Sequence, residues 1–290
     1  MSLTNKIDFA VIFSVKNANP NGDPLNGNRP RVTYEGRGEV TDVCIKRKIR
    51  DRLLEKGYDI FVQSDDRKKD AAASLHARAE AFLGKDMGRP DTVKAACAKW
   101  YDVRAFGQVF AFASAKKSAK KNKKNSEEPA NQEGDEKGVS IPVRGPVSIQ
   151  SAFTPESVSV TSTQITKSVN SEDSKDGKKT SDTMGMKHRV DSGTYIFYGS
   201  MNPQLAERTG FSDQDAMALK DVLPKLFEND ASSARPEGSM RVEKVFWWRH
   251  NCKSGQYSSA KVHGTVRLNP DGSCSENGFP DLPPEIIEGF

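Results

Sequence analysis

Ile7-Asp-Phe-Ala-Val-Ile-Phe-Ser-Val15 is followed, after Lys16, by Asn17-Ala-Asn-Pro-Asn-Gly-Asp-Pro-Leu-Asn-Gly-Asn-Arg-Pro-Arg31. In the first stretch Ile7, Phe9, Val11, Phe13 and Val15 alternate with other residues, so a strand would place them on one face. The second stretch ends that strand abruptly in Asn, Gly and Pro. Its amides and the guanidiniums of Arg29 and Arg31 would stand on irregular backbone with a rigid strand beneath. Such a loop can hold a polyanion. The same residues also build ordinary surface turns, and composition alone does not separate the two.

The next segment is Thr41-Asp-Val-Cys-Ile-Lys-Arg-Lys-Ile-Arg-Asp-Arg-Leu-Leu-Glu-Lys-Gly57. Thr41 suits an N-cap, Asp42 the first turn and Gly57 a C-terminal stop. Ile45, Ile49 and Leu53 recur every fourth residue and define a buried stripe. Lys46, Arg47, Lys48, Arg50 and Arg52 cover the rest, with only Asp51 among them. A solvated helix face explains some of these cations, and contact with phosphates explains the density.

Further on, Tyr58 to Val62 reads as a short strand. Two helices are expected over about 70–83 and from Pro90 to about Tyr101. Val103 to Phe112 returns to strand character. From Ser114 to Gly138 no apolar period exists. Lysines come first and acids after, a composition that cannot offset the entropy of ordering. Strands resume over Val139 to Phe153, broken at Arg144-Gly-Pro146, and over Val158 to Val169. The stretch 171–180 reads as the exposed tip of a long hairpin that returns through Met184 to Val190. Gly193 to Met201 is a strand. Ser212-Asp-Gln-Asp215 is a capping signature ahead of a helix that Pro224 should shorten. Met240 to Trp248 and Ser259 to Leu268 close as strands, Asn269 to Gly272 turns, and a Pro-rich tail ends the chain. Without its insertions this is strand, helix, strand, strand, helix, strand: an α+β fold of ferredoxin-like, RNA-recognition-motif (RRM-like) order.

The chain has 290 residues, a net charge of +5 and 35% apolar residues. Mild basicity says little by itself; its distribution matters. Cys44, Cys97, Cys252 and Cys274 form no CxxC pair and have no His at ligand spacing, so reduced thiols in a cytoplasmic protein are expected. No apolar run has transmembrane length and no signal-peptide core opens the chain.

Arg104-Ala-Phe-Gly-Gln-Val-Phe-Ala-Phe112 matches part of the sheet motif of RNA-recognition domains, but Gln108 and Ala111 replace aromatic rings that would stack on bases. Gly107 suggests a close backbone approach or a bend. Trp247 and Trp248 are adjacent, so one should face the core and the other a helix or solvent. Catalytic types are sparse. His76 sits on an Ala-rich helix, and His188 between Lys187 and Arg189 suits phosphate contact better than proton abstraction. His250 and His263 complete the histidines, and no nucleophile, zinc or P-loop motif occurs. Asp23, Asp42 and Asp191 are chemically able to bind Mg²⁺, but their spacing selects none. No cofactor, metal or catalytic residue is assigned, and no enzyme is expected.

Asn17-x-Asn-Pro-Asn-Gly-Asp-Pro24, Gly27-Asn-x-Pro-Arg31 and Val40-Thr-Asp-Val-Cys-Ile-Lys-Arg-Lys-Ile-Arg50 together resemble the N-terminal signature of the backbone subunits of CRISPR interference (Cascade) complexes, in the RAMP superfamily. The type I-C (Dvulg subtype) branch is the most similar. Asp102-Val-Arg-Ala-Phe-Gly107, Arg144-Gly-Pro-Val147 and Thr183-Met-Gly-Met-Lys-His-Arg-Val190 are similar to later blocks in the same order, so the resemblance spans most of the chain. The Lys/Glu loop at 114–138 departs from it.

The resemblance implies one hand-shaped domain. Its RRM-like palm would span about 3–58, 101–157 and 190–270, with helical fingers at about 59–100. A hairpin thumb would span about 158–189 and a tail 271–290. It implies a non-catalytic CRISPR RNA (crRNA)-binding subunit that forms a helical filament along the guide and presents it to target DNA in antiviral defence. Partners would be the CRISPR RNA, the target DNA strand, further copies of the chain, a guide-handle-binding subunit, a large subunit and a small subunit. Asn17, Asn19, Arg29, Arg31, Lys46, Arg47 and Arg50 would line the RNA groove. Arg104, Gly107, Arg144 and Gln150 would lie nearby, with Lys187, His188 and Arg189 at the thumb base. A ribonuclease that processes guide precursors, or a general single-strand-binding protein, are the alternatives.

Overall fold

A computed structural model describes residues 1–84, 87, 91–112, 139–166 and 184–290. The Lys/Glu loop at 114–138 and the hairpin tip at 171–180 lie outside the described residues. The N-terminal part contains β1 (Ile7–Ala18), β2 (Gly22–Asp23), β3 (Arg29–Pro30), β4 (Arg37–Val40) and α1 (Asp42–Glu55). Then come α2 (Leu75–Leu83), α3 (Thr92–Lys99), α4 (Tyr101–Phe106), β5 (Gly107–Phe112), β6 (Val139–Arg144), β7 (Val147–Ile149), β8 (Ala152–Ser157), β9 (Val160–Thr166) and β10 (Met184–Met201). The chain closes with α5 (Pro203–Thr209), α6 (Asp213–Val222), β11 (Met240–Arg249), α7 (Ser259–His263), β12 (Val266–Leu268), β13 (Cys274–Glu276) and β14 (Glu285–Glu288).

The fold is mixed α+β around a large antiparallel sheet. Its path runs β14-β11-β1-β10-β8-β4, with β7 and β9 also on β10. The alternation in β1 has its expected consequence. Phe9, Val11, Phe13 and Val15 pack with Ile45, Ile49 and Leu53 of α1 and with Leu219 and Val222 of α6. Each such side chain, fully buried, contributes roughly 1.5–3 kcal/mol. The opposite face is covered too: Ala10, Ile12, Phe246 and Trp248 pack under Val262, Val266 and Leu282. Trp247 and Trp248 therefore face opposite cores, and neither reaches solvent.

Local signals mark the helix ends. The Thr41 side chain accepts from the Cys44 amide, and Gly57 at φ +90 turns the chain out of α1. Ser212 and Asp215 form a reciprocal capping box, and Pro224 converts the end of α6 into a 3-10 turn.

Several expectations need correction. Tyr58 to Val62 forms no strand. Val103 to Phe112 divides into the end of α4 and β5, because Tyr101, Val103 and Ala105 are drawn into the core around Trp100 and Ile49. Ser259 opens a helix, and the Pro-rich last segment contains β14, which pairs with β11 at the sheet edge. Among the described residues, strands β5 and β6 pair only with each other. Phe110 and Val143 on them pack with Phe61, Ala79, Leu83, Ala96, Cys97 and Trp100 in a second core.

Candidate nucleic-acid interface

The loop after β1 is a small built structure. Asn17 is exposed with φ +53, a conformation that Asn tolerates, so the chain leaves β1 in a left-handed turn. Asn19 is buried. Its Nδ2 donates to the Asn28 carbonyl at 2.7 Å, and its backbone amide donates to Ala234. Asn21 Oδ1 accepts from both the amide and the hydroxyl of Thr41, at 3.0 and 2.9 Å. The loop is thereby tied to the start of α1. Gly22 and Asp23 pair with Pro30 and Arg29, and Arg31 lies 3.3 Å from Asp23. Leu25 at the tip is almost fully exposed.

The cations of α1 are more fully paired than the sequence suggested. Lys46 meets Asp42 at 2.9 Å, and Arg47 reaches Asp51 and Asp66 at 3.7 and 3.5 Å. Lys48 is buried against Asp230, and Arg52 is buried against Glu55. Burial pulls the Lys48 ammonium below its ordinary pKa, and Asp230 opposes that shift. Arg50 donates from Nε to Asp102 at 2.9 Å. Residues four apart share a helix face. Lys46 and Arg50 both lie over the Phe106 ring, at 6.0 and 5.1 Å from its centroid, while Arg47 belongs to another face.

Phe106 ends α4 and leads directly into Gly107, which pairs with exposed Arg144 across β5 and β6. Lys46, Arg50, Phe106, Gly107 and Arg144 thus form one ledge. Ser151 joins the helix side of it by accepting from the Asp42 amide, and exposed Gln150 precedes it. Arg104, by contrast, is turned inward. It meets Asp215 at 2.8 Å, stacks on Tyr101 at 4.9 Å and joins α4 to the capping box of α6.

The paired β9 and β10 form an arm. Lys187 and Arg189 are exposed on one face, opposite Thr163 and Thr161. His188 lies on the other face with Nδ1 2.8 Å from the Ser162 hydroxyl, together with exposed Met184 and Met186. The arm joins the loop where Ala18 pairs with Val190. The loop and the arm base are therefore neighbours, while the three arm residues divide between two faces.

The carboxylates weighed for Mg²⁺ have other partners: Asp23 has Arg31, Asp42 has Lys46, and Asp191 has Ser159 and Thr161. Among the described residues no group of three or more His, Cys, Asp or Glu is placed to hold a metal. His250 and His263 are buried around Asp8, at 2.8 and 3.5 Å. A groove of ≈ 640 Å³ lies away from the ledge, lined by Ser14, Lys16, Ser192, Thr194, Arg241, Glu156, Glu243 and Asp271 among others. Its two cations, Lys16 and Arg241, are outnumbered by its three acids, which disfavours a polyanion there.

Sequence reasoning missed Asn21, Asp102 and Ser151. Asn21 had a signal, being an Asn within the loop. Asp102 opens one of the family-like blocks without a role assigned to it, and Ser151 is recognisable only from its partner in space. Among the described residues no helix is long and apolar enough to cross a membrane.

The sequence model of the family described as CRISPR-associated protein Cas7 matches residues 5–281. A curated relative, CRISPR-associated protein Cas7 of Haloferax volcanii, is 26% identical over 306 residues, covering 99% of this chain and 82% of the relative. A solved chain described as CRISPR RNA-guided surveillance complex, pre-nicking, covers 88% of this chain and 81% of its own length, at 18% identity and TM-score 0.47. Another, described as CRISPR RNA-guided surveillance complex, covers 95% and 78%, at 18% identity and TM-score 0.42.

Proposed function

We propose a function from one premise: the chain belongs to the Cas7 family of CRISPR-associated proteins. On that premise it is an RNA-binding backbone subunit whose copies assemble head-to-tail along a CRISPR RNA and hold it for pairing with a target DNA strand. Its other partners are a guide-handle-binding subunit, a large subunit and a small subunit. The carrying observation is the extent of the family match, residues 5–281, which takes in the loop, the basic helix and the arm.

The physical features agree with this role. A strand held without regard to sequence needs cations and backbone contacts, while base pairing reads the sequence. Both faces of the main sheet are covered, so RNA would lie along the ledge and arm rather than across the sheet. A heterologous interface that does not close yields a helical assembly.

The order β11-β1-β10-β8 supports an RRM-like palm, because a split βαβ arrangement places the last and third strands on either side of the first. The separate core around Trp100 supports a fingers unit, and the β9 and β10 arm supports a thumb. The ordered Asn17 to Arg50 motifs support the type I-C branch. The reading assigns no catalytic residue.

The test is a binding competition between one single-stranded RNA and the same sequence as DNA, with the RNA recovered and sized afterwards. Preference for RNA, recovered intact, is expected. Equal affinity for DNA would favour a general single-strand binder, and specific cleavage would make the chain a ribonuclease.

A further inference from the structure

Asp102 is 1% exposed and receives three donors from two directions. Its Oδ1 accepts the Phe61 amide at 2.7 Å. Its Oδ2 accepts the Val62 amide at 3.0 Å and Arg50 Nε at 2.9 Å. The amides belong to the segment after α1, whereas Arg50 belongs to the same helix face as Lys46. An arginine has five N–H donors. Among the described residues Arg50 uses only Nε, and its side chain keeps 13% exposure. One edge of the guanidinium is fixed by Asp102 and one face by Phe106 at 5.1 Å.

We propose that Asp102 is a positioning residue for RNA binding: it holds Arg50 by Nε so that the two Nη groups meet a phosphate on the ledge shared with Lys46 and Arg144. The proposal rests on the RNA-binding reading above. The Nη pair of a guanidinium forms a planar fork that matches a phosphate, and a fork already oriented loses less freedom on binding. Loose in solvent, the same side chain would give up that freedom in each complex. Asp102 touches no RNA itself. It acts through Arg50, and the amides of Phe61 and Val62 hold it in place.

A purely structural Asp102, tying the fingers segment to α1, makes a different prediction. The experiment measures affinity for one fixed single-stranded RNA across a salt series, for the wild type, Arg50→Gln, Asp102→Asn and the double variant, with thermal unfolding alongside. Arg50→Gln should lower the salt slope by about one. Each single variant should bind about tenfold more weakly, the loss of one charge-assisted contact. The double variant should bind no more weakly than Arg50→Gln alone, because Asp102 then has nothing left to orient.

If Asp102→Asn costs the same factor with and without Arg50, the role is structural and the proposal is overturned. Should Asp102→Asn fail to fold, Arg50→Lys decides. It keeps the charge and loses the fork, so a several-fold loss at unchanged slope is expected. Wild-type affinity for Arg50→Lys would overturn the proposal. A wild-type protein that ignores RNA would overturn the underlying reading; binding that is indifferent to Arg50→Gln would overturn only this inference.

Discussion

Gly107 and Gly145 meet backbone to backbone, so close that a Cβ on Gly145 would lie 2.5 Å from the Gly107 nitrogen and 2.3 Å from the Ala105 carbonyl oxygen. Gly107 also has φ +84, which side chains rarely adopt. This contact holds the end of α4 against the Gly107 and Arg144 pair and so shapes the ledge. Alanine at Gly107 would meet the Val143 carbonyl oxygen at 2.3 Å. Gly107→Ala should therefore destabilise the protein by at least about 2 kcal/mol in urea unfolding, from strain and overpacking together. An unchanged midpoint would show that the close approach is dispensable.

Asp8 is buried between β1 and the C-terminal segment. Burial pushes its carboxyl pKa up, but the hydrogen bond from His250, the nearby His263 and Ser259 and the charge of Lys6 together hold it below the usual carboxylate range. The folded state then binds fewer protons than the unfolded state near the ordinary Asp pKa of about 3.9. The stabilisation is complete above that value and is lost as pH falls below it. Asp8→Asn should cost about 3 kcal/mol at neutral pH, and the gap to the wild type should narrow as pH drops below about 4. A gap that is constant with pH in denaturant titrations would contradict this.

Asn21 joins the loop to the N-cap of α1 by accepting twice from Thr41. Asn21→Ala leaves those donors without this acceptor and should cost about 1–2 kcal/mol. Amide exchange of residues 19–31 should accelerate while that of β1 stays slow. Unchanged exchange in the loop would mean that other contacts hold it.

Lys46 and Arg47 are adjacent in sequence but face different surroundings, Lys46 over Phe106 and Arg47 between Asp51 and Asp66. Lys46→Gln should lower the salt slope of RNA binding by about one, and Arg47→Gln should leave it unchanged. The reverse order would move the interface to the other helix face.

What the sequence disclosed was local. The alternation of β1, the Thr41 cap, the Ser212 capping box and the stop at Pro224 all follow rules that act within a few residues. The misread segments are those where distant packing decides. Val103 looks like a strand residue by type, yet the core around Trp100 closes Tyr101 to Phe106 into a helix. Arg104 shows no partner in its local sequence, because that partner, Asp215, lies 111 residues away. Similarly, the charge density of α1 was plain, while three of the acids that pair with it, Asp66, Asp102 and Asp230, come from elsewhere in the chain. Spacing identifies a cationic helix; only the fold identifies which cations retain free donors.

The most direct measurement of the central claim is native mass of the purified protein mixed with single-stranded RNAs of increasing length. A guide-binding backbone subunit should give masses that climb in steps, each one protein copy larger as the RNA lengthens. A mass that stays at one copy per RNA whatever its length, or does not depend on RNA at all, would contradict it.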